Sequence, residues 1–265
     1  MGVRLNKRVD PGWLADCDRL SGCRAVVMGL GLQAGGLGVA RFLRDKGAEV
    51  VVTDLRTADE LRPSVEALGV DGVRYVLGRH DVEDFRAADL VVRNPAVRDG
   101  SPYLVEARKA GVHVETEMTL FLRWCTDARI VGVTGTRGKT TTATVLQAML
   151  VAGGVPTTLA GNMRISALAQ LEEIEEGSMV VLELSSAQLE ALNGKALRVN
   201  GAVITNLMPD HLDRYQNMQM YAEAKLPLVA NQRRGDWAVI PRGDGWTEWF
   251  ADRAGGEVLR PDLEV

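Results

Sequence analysis

The sequence lacks an apolar run long enough to cross a bilayer, since none approaches the roughly 18 residues that a spanning helix needs. Its basic beginning, M-G-V-R-L-N-K-R, leads into no apolar stretch, so we expect no signal peptide. The three cysteines, Cys17, Cys23 and Cys125, form no metal-ligand pattern and leave an odd thiol. Zinc binding by Cys17 and Cys23 is an alternative, but no histidine lies near them in the sequence. We therefore expect reduced thiols in a cytoplasmic protein that does not bind a membrane.

The sequence also lacks a charge bias, because 31 basic and 35 acidic residues are mixed along the chain and give a formal net charge of −4. A nucleic-acid-binding protein would carry a clustered basic face, so we expect no nucleic-acid partner. A length of 265 residues allows one or two domains, with ample chain for a buried core. We expect small-molecule substrates and a monomer.

Runs with strand character alternate with helical patterns almost throughout the chain, which is typical of parallel sheets covered by helices. The segment 117–127 is expected to connect two domains, 1–127 and 128–265. The sequence therefore predicts an α/β fold made of two α/β domains in series. We expect a helix at 39–46 and strands at 24–28, 49–53, 73–77, 89–92, 112–114, 130–133, 179–184 and 201–205.

The first predicted strand ends in a glycine cluster, G-L-G-L-Q-A-G-G, with the spacing Gly29-x-Gly31-x-x-Ala34. Asp54 stands at the end of the next strand, where a carboxylate is available to a ribose or a base. This fingerprint suits any nucleotide diphosphate, and nothing in the sequence suggests the hydride-transfer site that an NAD-dependent dehydrogenase needs. The first domain is therefore predicted to be Rossmann-like and to bind a nucleotide.

A second phosphate-binding loop lies within residues 130–150, I-V-G-V-T-G-T-R-G-K-T-T-T-A-T-V-L-Q-A-M-L. An apolar strand enters a glycine turn and continues into a helix, so several backbone N–H groups and the helix dipole point at one anion. Lys139 supplies a charge for the outer phosphates, and the Thr140 hydroxyl is suited to ligate Mg²⁺. A solvated lysine on a glycine-rich turn is the alternative. The second domain is therefore predicted to be a P-loop-type ATP-binding domain.

Two later strand ends carry polar side chains to the same edge of the second predicted sheet. Glu183 ends a strand in M-V-V-L-E-L-S-S-A-Q-L-E, and Asp210 and His211 follow another in T-N-L-M-P-D-H-L-D-R-Y. A carboxylate beside nucleotide phosphates is a hard oxygen ligand for Mg²⁺. Each residue also has a structural alternative, which is a buried ion pair for Glu183 and a helix cap for His211. Three strand ends that converge on one rim favour a phosphate site with bound Mg²⁺.

The loop T-G-T-R-G-K-T-T lacks the leading glycine of the general phosphate loop, because Val133 occupies that position. This shorter loop resembles that of the Mur ligase superfamily, the ATP-dependent enzymes that form amide bonds in peptidoglycan and folylpolyglutamate synthesis. The string E-L-S-S-A-Q-L-E is similar to that of the member that adds D-glutamate to UDP-N-acetylmuramoyl-L-alanine. The resemblance runs from about Arg24 to about Ile240, and it includes a nucleotide-binding first domain that folylpolyglutamate synthetases lack.

The resemblance implies that the first domain holds the uridine diphosphate part of the substrate and that the second holds ATP with Mg²⁺. Lys225, in Y-A-E-A-K, matches the lysine that reacts with carbon dioxide to form a carbamate, an anionic oxygen ligand for Mg²⁺. That reaction requires a neutral amine and hence a depressed pKa. The implied catalytic residues are Lys139, His211 and Lys225, and the implied metal ligands are Thr140, Glu183, His211 and Lys225. The implied ATP-binding residues are Gly135, Thr136, Arg137, Gly138, Lys139, Thr140 and Thr141. The implied substrate-binding residues are Gln33, Asp54, Arg56, Asn94, Asn162 and Ser185.

The implied reaction activates the alanine carboxylate as an acyl phosphate, which the amine of D-glutamate attacks as phosphate leaves. Family members also carry a third domain, so the resemblance implies a C-terminally truncated chain that does not complete the reaction alone. The alternatives are a non-catalytic nucleotide-sugar binding module and another member of the family. The chain departs from the family at Arg137, more often Asn, at N-P-A (94–96), more often S-P-G, and at Pro227, which interrupts an expected helix.

Overall fold

The computed structural model describes residues 11–32, 34–162, 165–243 and 245–261. The chain divides into two compact units, which are Met1–Trp124 with Arg164–Leu171, and Cys125–Met163 with Glu172–Val265. Each unit is built on one parallel β-sheet, so the predicted α/β class is confirmed. Within the described residues, no helix is long and apolar enough to cross a membrane.

The first unit builds its sheet from five short strands in the order β3-β2-β1-β4-β5, which follows the Rossmann order. These strands are β1 (Arg24–Met28), β2 (Glu49–Asp54), β3 (Val73–Leu77), β4 (Leu90–Arg93) and β5 (His113–Glu115). The helices of this unit are α1 (Ala34–Asp45), α2 (Arg62–Leu68), α3 (Val82–Ala87), α4 (Pro102–Lys109) and α5 (Glu117–Trp124). Two 3-10 turns, Pro11–Ala15 and Cys17–Leu20, precede β1.

Burial on both faces explains why the central strands of this sheet are apolar without alternation. In β1, residues 25–28 are all buried, and this strand packs in one core with Phe85 of α3 and Leu104 of α4. The chain moves from β1 to one side of the sheet and returns to the other at β4, so the carboxyl ends of these two strands flank a crevice. Gly29 follows β1 and Asn94 follows β4 at this crevice.

The second unit has a six-stranded parallel sheet in the order β11-β10-β9-β6-β8-β7. The strands are β6 (Arg129–Thr134), β7 (Thr157–Gly161), β8 (Met179–Glu183), β9 (Gly201–Ile204), β10 (Trp237–Val239) and β11 (Glu257–Leu259). The helices are α6 (Lys139–Ala152), α7 (Ser186–Glu190), α8 (Leu212–Tyr215), α9 (Met218–Lys225), α10 (Pro227–Ala230) and α11 (Gly245–Ala251). A further 3-10 turn spans Leu168–Glu173.

The central strand β6 sets the position of the candidate site in the second unit. It lies between β8 and β9, and its register pairs Val133 with Glu183 and Thr134 with Ile204. Val133 is fully buried against Ala143 of α6 and Val181 of β8, so this strand end is fixed by the core. The carboxyl ends of three neighbouring strands therefore share one edge, as the sequence predicts.

The second sheet extends further than the sequence predicts. Strands β7, β10 and β11 were not predicted; β7 (T-T-L-A-G) and β11 (E-V-L) carry few apolar residues, and β10 (W-A-V) is only three residues long. The segment that begins at Glu117 was predicted as a connection and is the helix α5, whose Leu120 and Phe121 are fully buried. Pro227 begins α10 directly after α9 ends at Lys225, as expected for a proline at the first position of a helix.

Candidate nucleotide-binding and active site

The turn after β1 is built from glycines that allow a close approach of α1. Gly29 and Gly31 have φ angles of 95° and 64°, a region that strongly favours glycine. A Cβ atom on Gly36 would lie 2.4 Å from the carbonyl oxygens of Gly29 and Leu30, so the first turn of α1 packs directly on the turn. The backbone N–H groups and the positive dipole end of α1 make this turn suited to bind phosphate groups.

Asp54 connects the end of β2 to this turn. Its Oδ2 accepts a hydrogen bond from the backbone N–H of Gly31 at 3.1 Å, and its Oδ1 accepts one from the N–H of Arg56 at 3.0 Å. Asp54 is partly exposed and Arg56 is exposed, so both side chains remain accessible beside the glycine turn. The structure therefore brings two of the predicted substrate-binding residues together; the predicted residue Gln33 lies outside the described residues.

Asn94 lies across the crevice from Asp54 and borders a small cavity. A Cβ atom on Gly29 would lie 2.9 Å from the Cβ of Asn94, so the two strand ends are in contact. The Asn94 Oδ1 accepts a hydrogen bond from the N–H of Ala96 at 2.9 Å, which fixes the turn after β4. The cavity measures about 30 Å³, and Gly29, Gly36, Asn94 and Glu117 contribute to its lining.

Two ionisable side chains of this region were missed by sequence reasoning. Burial raises the pKa of Glu117 to about 7, although hydrogen bonds to Ser166 and to two backbone N–H groups lower it. His80 lies 2.7 Å from the Thr53 hydroxyl through Nδ1, and burial lowers its pKa while Asp54 raises it. No local pattern marks either residue, because the Glu117 partner lies 49 residues further along the chain and the His80 partner 27 residues earlier.

The phosphate loop of the second unit joins β6 to α6 as the sequence predicts. Gly135 and Gly138 have φ angles of 151° and 81°, and a Cβ atom on Gly135 would lie only 1.9 Å from the Thr205 hydroxyl oxygen. The Lys139 ammonium donates to the carbonyl oxygens of Gly135 at 3.1 Å and Thr136 at 2.9 Å. The lysine is thus held over the loop, at the start of α6, where a phosphate would bind.

The segment after β9 holds the phosphate loop in place. The N–H of Thr136 donates to the Asn206 carbonyl at 3.1 Å, and the N–H of Arg137 donates to the Asn206 Oδ1 at 3.0 Å. Thr205 and Asn206 both donate to the Arg137 carbonyl, at 2.6 Å and 3.0 Å. The Thr136 hydroxyl also accepts a hydrogen bond from the Met208 N–H at 2.9 Å. Because the loop is braced from a neighbouring strand end, its backbone is positioned in advance of any ligand.

Lys225 is buried beneath the same loop. It is 1 % exposed, and its ammonium donates to the Gly135 carbonyl at 3.1 Å and to the Thr134 hydroxyl at 3.4 Å. The Tyr221 ring lies under the ammonium, with its centroid 4.7 Å from Nζ. Lys225 is therefore fixed at the carboxyl end of β6, although the sequence places it on a helix 90 residues after the loop.

The electrostatics of Lys225 favour a neutral amine. Burial and the charge of Lys139 lower the pKa of Lys225 from 10.5 to about 7, whereas Asp210 raises it. Both ammonium groups donate to the same Gly135 carbonyl and therefore lie close together, so their positive charges repel each other. A substantial fraction of the Lys225 side chain is therefore uncharged near neutral pH, which is the form that reacts with carbon dioxide.

Glu183 presents an unsatisfied carboxylate oxygen at the same edge of the sheet. The side chain is 2 % exposed, and its Oε1 accepts a hydrogen bond from the Asn162 amide at 3.1 Å. The Asn162 backbone N–H donates to the Glu183 carbonyl at 2.8 Å, so the two residues are held together. Oε2 is buried and has no hydrogen-bond partner among the described residues. A buried, unpaired carboxylate oxygen fits a hard cation such as Mg²⁺.

His211 and Ser185 were also predicted as site residues. His211 has a left-handed conformation with φ of 52° at the start of α8, and its side chain is 59 % exposed. Its ring packs edge-on against Tyr221, with the centroids 5.9 Å apart. The Ser185 hydroxyl caps α7, because it accepts a hydrogen bond from the Gln188 N–H at 3.3 Å and donates to the Gln188 Oε1 at 2.9 Å. His211 thus stays accessible, whereas Ser185 is already engaged.

Each unit places a glycine turn and a helix start at the switch point of a parallel sheet, an arrangement typical of α/β proteins that bind nucleotide phosphates. Comparison with known families gives a specific assignment. The Mur ligase middle domain matches residues 133–260, and the MurD-like N-terminal domain of Mur ligases matches residues 23–116. The chain belongs to the Mur ligase family.

Curated relatives are similar to this chain over most of its length. The UDP-N-acetylmuramoylalanine–D-glutamate ligase of Roseiflexus sp. (strain RS-1) is 53 % identical over 249 residues, which cover 89 % of this chain and 53 % of that protein. The ligase of the same name from Geobacter metallireducens is 42 % identical over 233 residues, covering 88 % of this chain and 51 % of that protein. The chain therefore spans about half the length of the curated relatives that it matches.

Solved structures of Mur ligases share the fold. The UDP-N-acetylmuramate:L-alanyl-gamma-D-glutamyl-meso-diaminopimelate ligase from Neisseria meningitides superposes with a TM-score of 0.62 at 18 % identity, over 91 % of this chain and 78 % of that one. A murein peptide ligase from Psychrobacter arcticus gives a TM-score of 0.53 at 17 % identity, over 90 % of this chain and 53 % of that one. At such low identity the likeness supports the architecture alone.

Proposed function

We propose that this chain forms the two nucleotide-binding units of an ATP-dependent ligase that adds D-glutamate to UDP-N-acetylmuramoyl-L-alanine in peptidoglycan precursor synthesis. The observation that carries this proposal is the 53 % identity, over 249 residues, to a protein named as that ligase. The site chemistry supports it, because a phosphate loop, a buried lysine and an unpaired buried carboxylate meet at one sheet edge. Both substrates and ATP are small cytoplasmic metabolites, so we expect the protein to act in the cytoplasm. We also propose that it acts as a monomer.

The two units have different roles in this proposal. Residues 1–127 bind the uridine diphosphate part of the substrate, with Asp54, Arg56 and Asn94 around the glycine turn and Gln33 as a further contact. Residues 128–265 bind ATP through Gly135–Thr141. Asn162, which is exposed and bonded to Glu183, faces the substrate, and Ser185 supports the same edge.

The chemistry begins at the substrate carboxylate. One of its oxygens attacks the γ-phosphorus of ATP, ADP leaves, and the product is an acyl phosphate. The amine of D-glutamate then attacks the acyl carbon, the nitrogen loses a proton, and inorganic phosphate leaves as the amide forms. Lys139, already held over the loop, neutralises charge that develops on the transferred phosphoryl group.

Mg²⁺ fits the residues at this edge. Glu183, Thr140, His211 and the carbamate of Lys225 would hold it, and the unpaired Glu183 Oε2 is the observation that favours this set. When bound, Mg²⁺ neutralises phosphate charge and orients the phosphates for in-line transfer. Lys225 contributes a ligand only after its amine has taken up carbon dioxide, and its lowered pKa supports that step.

Replacement of Asp54 by alanine tests the assignment of the first unit. We expect Asp54→Ala to weaken the binding of UDP-N-acetylmuramoyl-L-alanine by about tenfold or more, because a charged hydrogen-bond acceptor for the nucleoside is lost. Calorimetric titration of the ligand into the chain measures this. Asp59→Ala is the matched control, since Asp59 is an exposed carboxylate five residues further along the same connection.

Two results would contradict this assignment. One is the absence of any binding heat when UDP-N-acetylmuramoyl-L-alanine is titrated into the wild-type chain. The other is an equal loss of affinity in Asp54→Ala and Asp59→Ala, which would mean that the effect is a general charge effect. Circular dichroism of both variants shows whether the fold is retained.

A further inference from the structure

A carboxylate clasp joins two parts of the first unit that are far apart in sequence. Glu117 is the first residue of α5, and its Oε1 accepts a hydrogen bond from the Ser166 hydroxyl at 2.6 Å. The backbone N–H groups of Leu168 and Ala167 also donate to the Glu117 carboxylate. Ser166, Ala167 and Leu168 are at most 3 % exposed. Three donors from one short segment therefore converge on one side chain.

The clasp is built against the glycine-rich helix α1. A Cβ atom on Gly38 would lie 2.1 Å from the Ser166 Cβ, so Ser166 occupies the space that a side chain on α1 would take. The second carboxylate oxygen of Glu117 lies 3.6 Å from the position of a Cβ atom on Gly35. Glu117 also lines the small cavity beside Gly29 and Asn94. The clasp thus lies directly at the turn to which we assign the substrate diphosphate.

We propose that Glu117 is a positioning residue, which fastens the segment Ser166–Leu168 to α1 and so holds the first turn of α1 against the glycine turn after β1. This inference rests on the proposed function, because the ligand of that glycine turn comes from it. Glu117 borders the cavity beside that turn and lies close to Gly35 of α1, so loss of the clasp frees the part of α1 that would face the diphosphate. The clasp is distinct from the groups that transfer phosphate.

Among the described residues around Glu117, the cationic side chains have other partners. The segment 165–171 carries no ionisable side chain. On α1, Arg41 and Arg44 donate to the carbonyls of Ala67 and Leu68. Arg93 lines the same cavity, but it donates to the Val97 carbonyl and lies 3.6 Å from Asp99. On α5 itself, Arg123 pairs with Glu115 at 3.2 Å.

The clasp consequently depends on pH with a defined sign. The pKa of Glu117 is raised from 4.5 to about 7 in the folded chain. Since opening the clasp returns the carboxyl group towards its ordinary pKa, the closed form binds the proton more tightly than the open form. The closed clasp is therefore most stable below the ordinary pKa, loses stability as the pH rises towards about 7, and changes little above that value.

Four variants of the chain test the clasp through binding. We expect Glu117→Ala and Ser166→Ala each to weaken UDP-N-acetylmuramoyl-L-alanine binding by about tenfold, because hydrogen bonds that order the segment are lost. The double variant is expected to be little worse than either single one, since both remove the same interaction. Glu117→Gln keeps an acceptor oxygen and is expected to bind nearly as well as wild type. Gln170→Ala is the control, because Gln170 lies two residues after the clasped segment and its amide nitrogen has no partner within the described ranges.

Hydrogen exchange measures the clasp without any ligand. After correction for intrinsic exchange, protection of the Ala167 and Leu168 amides is expected to fall more than about tenfold in wild type between about pH 5 and about pH 7. In Glu117→Gln this protection is expected to stay constant with pH, and in Glu117→Ala it is expected to be low throughout.

The two measurements separate the possible failures. Protection that does not depend on Glu117, or additive effects of Glu117→Ala and Ser166→Ala, would overturn the clasp itself. The positioning role would be overturned if hydrogen exchange shows that Glu117 protects the Ala167 and Leu168 amides while Glu117→Ala still binds the ligand with unchanged affinity. Failure of the wild-type chain to bind UDP-N-acetylmuramoyl-L-alanine would instead reject the proposed function, while the exchange result would stand.

Discussion

Lys139→Ala is expected to weaken ATP binding by about 10- to 100-fold, because the variant loses a charged donor to the outer phosphates, worth about 1.5–3 kcal/mol. The wild-type lysine is held over the loop by the carbonyls of Gly135 and Thr136, so little ordering is needed when phosphate replaces them. Binding of UDP-N-acetylmuramoyl-L-alanine is expected to be unchanged, since we assign it to the other unit. Calorimetric titration of each ligand, with Mg²⁺ present, measures both affinities.

Arg129→Ala is the matched control for this change. It removes an exposed cation from the same unit, but at the amino end of β6, whereas Lys139 follows its carboxyl end. ATP affinity in Arg129→Ala should therefore equal that of wild type. A similar loss of affinity for both ligands in Lys139→Ala, on a folded variant, would contradict the assignment of two separate nucleotide sites.

Lys225→Arg is expected to abolish carbamate formation entirely, because a guanidinium stays protonated and does not take up carbon dioxide. The buried Lys225 amine beside Gly135, with its pKa lowered to about 7, is the group in the second unit that suits this reaction. Carbon-13 NMR of the chain in labelled bicarbonate should show a carbamate resonance in wild type and none in the variant. In a complete ligase the same change should remove most activity, since a metal ligand becomes a cation.

Lys139→Arg provides the comparison for the carbamate experiment. It replaces the neighbouring lysine, which bonds to the same Gly135 carbonyl, and it keeps the positive charge there. The carbamate resonance should persist in this variant. A resonance that survives in Lys225→Arg, or that disappears only in Lys139→Arg, would show that Lys225 is not the modified residue.

Features that depend on neighbouring residues in sequence could be predicted well. The phosphate loop requires only a strand, a glycine turn and Lys139 in succession, and the structure has β6, Gly135–Gly138 and α6 in that order. Glu183 at the end of β8 was predicted in the same way, from an apolar run followed by a carboxylate. The two parallel sheets could be predicted because strand and helix patterns alternate along the chain, and such alternation favours parallel strands.

Features that depend on distant contacts could not be predicted from the residues. The shared Gly135 carbonyl joins Lys139 to Lys225, which lies 90 residues after that glycine, and only the fold brings the two lysines together. The clasp between Glu117 and Ser166 spans 49 residues and has no motif. A short edge strand such as β11 is stabilised mainly by its pairing with the neighbouring strand β10. Its own few residues therefore give no recognisable strand pattern in the sequence.

The most direct test of the central claim is a ligation assay on a chimeric enzyme. In it, this chain replaces the matching half of the Roseiflexus ligase, to which it is 53 % identical. We predict that the chimera incorporates labelled D-glutamate, and not L-glutamate, into UDP-N-acetylmuramoyl-L-alanine with release of ADP, and that Lys139→Ala abolishes this. A chimera that binds ATP and UDP-N-acetylmuramoyl-L-alanine normally but forms no product, or prefers another amino acid, would contradict the account.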